Sequence, residues 1–119
     1  MADTKILIVD DSAFMRSVLK NILEGAGYSN FVEGENGNDA RTKTDSEAPA
    51  LILLDLIMPE TGGMGIIAEL SQKAKVIVIS AVGQDESVNE AKANGASDYI
   101  VKPFENDQVV NTINKVLGL

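Results

Sequence analysis

The sequence predicts an α/β fold in which a single doubly wound parallel sheet of five strands is covered by helices on both faces. Five short apolar runs alternate along the chain with five stretches of helical character. Runs that are apolar throughout are typical of strands buried on both faces of a sheet. Their alternation with helices indicates right-handed crossovers between parallel strands. At 119 residues, the chain has room for one domain with its own core.

The first strand and helix are strongly predicted. Residues 6–9 form a continuous apolar run, and residues 12–25 carry apolar side chains at helical spacing. Ser12 falls in the cap region of this helix, and Gly25 or Gly27 marks its end. The apolar residues expected to face the core from this helix are Phe14, Val18, Leu19, Ile22 and Leu23.

The next unit is weaker. Residues 30–33 predict a weak second strand, and residues 38–47 predict a helix whose main apolar residue is Ala40. We therefore expect this helix to be short and loosely held. Residues 51–54 predict a third buried strand, and the Pro and Gly residues of 58–63 predict a loop after it.

The last part of the chain continues the same alternation. Helices are predicted at 64–73, 84–94 and 105–117, and strands at 76–79 and 99–101. The last helix is expected to turn five apolar residues inward. They are Val109, Val110, Ile113, Val116 and Leu117.

Composition excludes several kinds of chemistry. The chain has no Cys and no His, so disulfides, thiolate metal sites and the commonest general base are absent. The formal net charge of -8 disfavours a nucleic-acid partner. The sequence shows no signal-peptide pattern and no apolar stretch of membrane-spanning length. We therefore expect a cytoplasmic protein with no membrane partner.

Chemically active side chains follow four of the five predicted strands. Asp10 and Asp11 follow the first strand, Asp55 the third, Ser80 the fourth and Lys102 the fifth. Because ligands of open α/β sheets bind beyond the carboxyl ends of the strands, we expect these side chains at one rim. Each alone has an ordinary explanation, such as a helix cap or a solvated lysine. Their coincidence at four strand ends favours a functional site.

This set of side chains is suited to phosphoryl chemistry. Crowded carboxylates need a cation, and oxygen ligands of this kind favour Mg²⁺. One carboxylate can then attack a phosphoryl group to give an acyl phosphate, and it needs no deprotonation at neutral pH. Lys102 would neutralise part of the charge, and Ser80 would hydrogen-bond a phosphoryl oxygen.

Four stretches of the chain resemble the receiver domains of two-component response regulators, most closely the CheY-type receivers of chemotaxis. The stretches are IVDDSAFMR at 8–16, LDLIMP at 54–59, VISA at 78–81 and GASDYIVKPF at 95–104. The resemblance covers the whole chain, and together the motifs are highly specific. It implies a (βα)5 flavodoxin-like fold with strand order 2-1-3-4-5.

The resemblance also implies how the residues at the rim are used. Asp55 would be the phospho-acceptor, and Lys102 would bind the phosphoryl group. Asp10, Asp11 and Asp55 would hold Mg²⁺ together with the backbone carbonyl of Ile57. The peptide bond between Lys102 and Pro103 is expected to be cis, as in the family.

The resemblance further implies a switch. Ser80 would move toward the new phosphoryl oxygens, and Tyr99 would fill the space that Ser80 leaves. The face formed by helix 4, strand 5 and helix 5 would then favour a partner. Such a change needs only a few kcal/mol of difference between two states.

Three departures from the family pattern modify these expectations. Family members commonly carry polar groups two residues after the acceptor and two after the switch hydroxyl, where this chain has Ile57 and Val82. We therefore predict slow self-dephosphorylation. Residues 61–63 are Thr-Gly-Gly in place of Met-Asp-Gly, which predicts a more flexible loop. Residues 84–119 contain six acids and three lysines, so we expect an output target with basic groups.

The implied circuit has a histidine kinase of the CheA type as phospho-donor, with a motility-apparatus or adaptor protein as the target. A phosphatase is a further possible partner, and the protein is expected to be a monomer of one receiver domain over 1–119 without an output domain. A phosphorelay receiver, passing the group to another histidine, is an alternative. An enzyme with an aspartyl-phosphate intermediate is disfavoured because dehalogenase-like phosphatases need Asp-x-Asp, where this chain has Asp-Asp-Ser at 10–12. A degenerate scaffold is disfavoured by the intact acidic and lysine set.

Overall fold

The computed structural model describes residues 3–57 and 64–119, and within them five strands alternate with five helices. The strands are β1 (Lys5–Val9), β2 (Asn30–Gly34), β3 (Leu51–Leu54), β4 (Lys75–Ser80) and β5 (Asp98–Val101). The helices are α1 (Ala13–Gly25), α2 (Gly37–Glu47), α3 (Gly65–Leu70), α4 (Asp85–Ala93) and α5 (Asn106–Leu117). All strand pairs are parallel, in the order β2-β1-β3-β4-β5. The predicted fold class and strand order are confirmed.

The helix boundaries mostly follow the prediction. Ser12 is the N-cap of α1, and its Oγ accepts a hydrogen bond from the Met15 amide at 3.2 Å. The prediction for α3 extends over 64–73, but the helix has only six residues and ends at Leu70. The predicted loop at 58–63, including its Thr-Gly-Gly departure, lies outside the described residues. No helix within the described part of the chain is long and apolar enough to cross a bilayer.

The core lies on both faces of the sheet, as strands that are apolar throughout require. One face of β1, β3 and β4 packs against residues of α2, α3 and α4, with Tyr99 at its margin. The other face packs against α1 and α5 around Leu19, Leu23, Val109 and Ile113. Of the predicted inward residues of α5, Val110, Val116 and Leu117 are only half-buried. Helices on both sides leave the carboxyl ends of the strands as the place where polar side chains can meet.

The first turn of α1 differs from the prediction. Helical spacing predicts Phe14 in the core, but it is 76% exposed. Arg16 is buried instead, with 7% of its surface exposed. The reason is local, because this turn lies beside the polar end of β1, where Arg16 donates hydrogen bonds to a backbone carbonyl and a carboxylate. The helical periodicity is therefore correct from Leu19 onward and wrong at its start.

α2 has few apolar residues, as predicted, and it makes exposed ion pairs with α3 and with the segment that follows α3. Arg41 Nε lies 2.6 Å from the Glu69 carboxylate of α3, and Lys73 pairs with Asp45. Three α2 residues are buried against the sheet side: Gly37, Ala40 and Thr44. The hydroxyl of Thr44 is buried and has no hydrogen-bond partner among the described residues.

Thr44→Val is expected to raise the free energy of unfolding by about 1 kcal/mol. Valine keeps the shape of threonine but removes a hydroxyl that is buried and has no hydrogen-bond partner among the described residues. Chemical denaturation of both proteins measures the difference. Thr42→Val is the matched control, because Thr42 is exposed on the same helix and carries the same change in helix propensity. An equal or larger gain at Thr42 would contradict the burial argument.

Candidate functional site

Backbone hydrogen bonds extend the sheet one residue beyond the ends of β1, β3 and β5. The amide of Asp10 donates to the carbonyl of Gly34 at 3.1 Å, and that of Asp55 donates to the carbonyl of Val9 at 3.0 Å. The amide of Lys102 donates to the carbonyl of Ser80 at 2.9 Å. These three predicted site residues are therefore fixed to one rim by the same ladder that builds the sheet.

Three carboxylates meet at this rim. One oxygen from each of Asp10, Asp11 and Asp55 lies within 4.8 Å of the others. Asp10 is 3% exposed and Asp55 is 6% exposed, while Asp11 faces solvent. Asp10 Oδ1 accepts from the Ser12 amide, and Asp55 Oδ1 accepts from the Ile57 amide, each at 2.9 Å. The two buried carboxylates are thus oriented by backbone groups two residues further along the chain.

Lys102 joins the two buried carboxylates. Its Nζ donates to Asp10 Oδ2 at 2.9 Å and to Asp55 Oδ2 at 3.0 Å. Burial is the largest single effect and disfavours the charged ammonium, but the hydrogen bonds and negative charges of Asp10 and Asp55 together outweigh it and raise the pKa of Lys102. The following peptide bond to Pro103 is cis, as expected. Three carboxylates against one ammonium leave two negative charges uncompensated at this point.

The donor set fits Mg²⁺. This ion takes oxygen ligands at about 2.0–2.1 Å in an octahedron, so two ligand oxygens on opposite sides of it are roughly 4 Å apart. The three carboxylate oxygens lie within 4.8 Å of one another, which is close to that separation. Asp11 is exposed and so accessible to a hydrated ion. The Ile57 side chain is 53% exposed at the same rim.

Ser80 and Tyr99 meet the backbone of the same residue. Ser80 is fully buried, and its Oγ accepts from the Val82 amide at 3.3 Å. The Tyr99 hydroxyl donates to the Val82 carbonyl. Tyr99 is 9% exposed, and burial is the main cause of its raised pKa. The two predicted switch residues are therefore connected through the peptide groups of Val82.

An ion pair beside the rim, between buried Arg16 and partly exposed Glu33, was not predicted. Arg16 Nη1 donates to the Asp10 carbonyl at 2.5 Å, and Arg16 Nε donates to Glu33 Oε1 at 2.8 Å. The hydrogen bond from Arg16 is the main cause that lowers the pKa of Glu33. The arginine is part of the 8–16 motif, but nothing in the sequence pairs it with a glutamate of the second strand.

A separate groove of about 350 Å³ lies between α1 and α5. Its lining is mostly amide and apolar, from Asn21, Ile22, Asn106 and Val110 among others. None of the predicted site residues lines it. The carboxylates, the ammonium and the hydroxyl are all concentrated at the rim, so the rim is the candidate site.

Comparison with protein families decides the classification. The family model described as the response regulator receiver domain matches residues 6–114. The chain belongs to the response-regulator receiver family. The proposed resemblance is therefore confirmed, and the protein is a receiver of two-component signalling rather than an enzyme of the usual kind.

Several relatives of this receiver are chemotaxis proteins. It is 44% identical to chemotaxis protein CheY of Bacillus subtilis, with 96% of this chain and 98% of that protein covered. It is 45% identical to CheY of Thermotoga maritima, with 94% and 96% covered. A CheY-like receiver domain protein from Methanospirillum hungatei has a TM-score of 0.87 and 25% identity, over 97% of this receiver and 94% of that chain. The receiver is thus CheY-like in sequence and in fold.

Proposed function

We propose that this receiver takes up a phosphoryl group on Asp55, with Mg²⁺ as cofactor, in a cytoplasmic chemotaxis pathway. The observation that carries the proposal is the bridge from Lys102 Nζ to the Asp10 and Asp55 carboxylates, with the Asp11 oxygen nearby. Asp10, Asp11 and Asp55, with the Ile57 carbonyl, would hold the ion. When bound, Mg²⁺ would neutralise charge on the phosphoryl oxygens.

The chain's own residues account for the rest of the transfer. An oxygen of Asp55 attacks phosphorus while the phosphorus–nitrogen bond of a kinase phosphohistidine breaks, and the freed imidazole nitrogen takes a proton from solvent water. Asp55 attacks as a carboxylate, so no base in this chain is required. Lys102 balances charge on the transferred group, because its two carboxylate partners hold it protonated. The Ser80 hydroxyl donates a hydrogen bond to a phosphoryl oxygen.

The same step would work the switch. Ser80 Oγ now accepts from the Val82 amide, and a move toward the phosphoryl group would break that bond. The Val82 carbonyl accepts a hydrogen bond from Tyr99, so a shift of the Val82 backbone would also change what holds the tyrosine. Tyr99 lies inward in this structure. Phosphorylation would therefore stabilise one position of the loop at Val82, in which Tyr99 is buried. The surface formed by α4, β5 and α5 would then bind a partner more tightly.

The charge of this output face supports a target with basic groups. Lys92 and Lys115 lie 3.8 and 3.9 Å from the Asp98 carboxylate, and Lys102 is used in the site. All three lysines of 84–119 are therefore directed toward acids of this chain. The remaining acids of the segment are exposed or half-exposed. They are Asp85, Glu86, Glu90, Glu105 and Asp107.

The proposal is tested by incubating the receiver with acetyl phosphate in Mg²⁺ or in EDTA. We expect intact-mass spectrometry to show one phosphoryl group per chain in Mg²⁺ and almost none in EDTA. Proteolysis and fragmentation should place the group on the peptide that contains Asp55. A phosphoryl group on a hydroxyl residue, or equal labelling in EDTA, would contradict the proposal.

The phosphorylated form is expected to decay slowly in the absence of a phosphatase. Ile57 and Val82 offer no polar side chain to orient a water molecule for attack on the acyl phosphate. Ile57→Asn should speed the decay by roughly tenfold or more, because positioned polar groups contribute at least that much to proton transfer. Ile57 is exposed, so the substitution disturbs no core. Decay of the parent within seconds would refute this expectation.

A further inference from the structure

We propose that Arg16 is a positioning residue for the cation site: it fixes the Asp10–Asp11 peptide group so that both carboxylates are directed toward Asp55. The inference rests on the proposed function, because it concerns how well the acidic rim binds Mg²⁺. Arg16 itself would touch neither the ion nor the phosphoryl group. It acts through the backbone between two ligands.

The peptide group in question lies just outside the regular sheet. The last residue pair between β1 and β2 is Val9 with Gly34, so the Asp10 carbonyl lies beyond the paired strand. Arg16 Nη1 reaches back from α1 and donates to that carbonyl at 2.5 Å. Because this carbonyl belongs to the peptide bond that joins Asp10 to Asp11, its direction sets how the two side chains diverge. A buried carbonyl that lost its donor would rotate toward solvent or remain unsatisfied at a cost.

The guanidinium is itself held from the other side. Its Nε donates to Glu33 Oε1 at 2.8 Å, and its Nη2 lies 3.8 Å from Glu35. Lys20 donates to the second oxygen of Glu33 at 3.3 Å, and Lys43 donates to the Glu33 backbone carbonyl. A planar guanidinium can donate to a carbonyl and a carboxylate at once in fixed directions, which an ammonium cannot do. β2 therefore supports the first acidic pair through Arg16.

The direction in which the Mg²⁺ affinity changes when Arg16 is replaced separates a positioning role from a purely electrostatic one. A positive charge near a divalent cation repels it, so deleting that charge should tighten Mg²⁺ binding if charge were all that mattered. If Arg16 holds the ligands in place, its loss should weaken binding instead. Groups that orient metal ligands typically change metal affinity by roughly 10- to 100-fold.

The experiment is calorimetric titration of the unphosphorylated full chain with Mg²⁺ at fixed ionic strength. Arg16→Met, which keeps the aliphatic bulk, is expected to weaken binding roughly tenfold. Arg16→Lys, which keeps the charge but loses the fork, is expected to weaken it by a smaller factor. Arg41→Met is the matched control, because it removes the same charge from a partly exposed ion pair between α2 and α3. It should leave the affinity within about twofold, as expected of a partly exposed charge that is screened by salt.

Each outcome decides the question. Unchanged or tighter binding by Arg16→Met, together with parent-like binding by Arg16→Lys, would overturn the positioning role. Thermal unfolding in EDTA shows which variants are folded. If Arg16→Met is not folded, the comparison of Arg16→Lys with the parent decides alone, since the two carry equal charge. If the parent chain binds no Mg²⁺, the proposed function itself is refuted. If the parent binds Mg²⁺ and the Arg16 variants bind it equally well, only the positioning role is refuted.

Discussion

Asp55→Asn should abolish phosphoryl uptake completely and leave the metal-free protein more stable than the parent by about 1 kcal/mol. An amide is not a nucleophile toward phosphorus at neutral pH, so the labelled species should disappear. The gain in stability follows from charge. Without Mg²⁺, the charge of Asp55 is repelled by Asp10 and Asp11, and among the described residues it is paired with Lys102, so neutralising it removes repulsion from two charges and attraction from one. The side-chain oxygen of the introduced asparagine can still accept from the Ile57 amide.

Two measurements check this result. Intact-mass spectrometry after incubation with acetyl phosphate and Mg²⁺ reports uptake, and urea unfolding in EDTA reports stability. Asp45→Asn is the control, because it makes the same change of charge in an exposed ion pair with Lys73. That variant should be labelled like the parent. Labelling of Asp55→Asn at the parent level would mean that another residue is the acceptor.

Lys102→Met is expected to destabilise the metal-free protein by about 2–3 kcal/mol. It leaves two carboxylates that are 3% and 6% exposed facing each other without a cation. Breaking a fully buried ion pair in this way costs about 3–5 kcal/mol, and the value here is lower because the Lys102 side chain is 18% exposed. Mg²⁺ should recover part of the loss, since it would supply positive charge to the same oxygens.

Urea unfolding with EDTA and with saturating Mg²⁺ measures both effects. Lys92→Met is the control, because Lys92 is half-exposed and lies 3.8 Å from Asp98. Its loss should change stability by less than about 1 kcal/mol in either condition. If Lys102→Met is as stable as the parent in EDTA, then Lys102 does not neutralise the buried carboxylates.

The strands and most of the site could be predicted from sequence because both depend on local patterns. Apolar runs locate each strand to within about one residue at either end, and the residues that follow a strand must lie at its carboxyl end. Parallel strands place Asp10, Asp55 and Lys102 at one rim without further information. The small number of apolar residues in α2 was also visible, since Ala40 is its main apolar residue; that the helix is loosely held stays a prediction. The order of the strands across the sheet, in contrast, came from the family resemblance.

What the sequence could not show depends on pairs of residues far apart in the chain. Arg16 and Glu33 are separated by 17 positions, and neither belongs to a periodic pattern that would bring them together. Helical spacing placed Phe14 in the core because it counts hydrophobicity and not the polarity of the neighbouring strand end. The hydrogen bond from Tyr99 to the Val82 carbonyl likewise joins a strand to a loop that no motif connects to it.

The buried position of Tyr99 has a thermodynamic consequence for the proposed switch. If the acceptor and the output face are coupled through the Val82 peptide groups, the coupling free energy must act equally in both directions. Phosphorylation of Asp55 would raise the affinity for a target that binds the face formed by α4, β5 and α5. Binding of that target would then favour the phosphorylated state by the same factor. Tyr99 lies inward in this structure, which corresponds to one member of that equilibrium. The target would therefore act as an effector of the receiver as well as a reader of its signal.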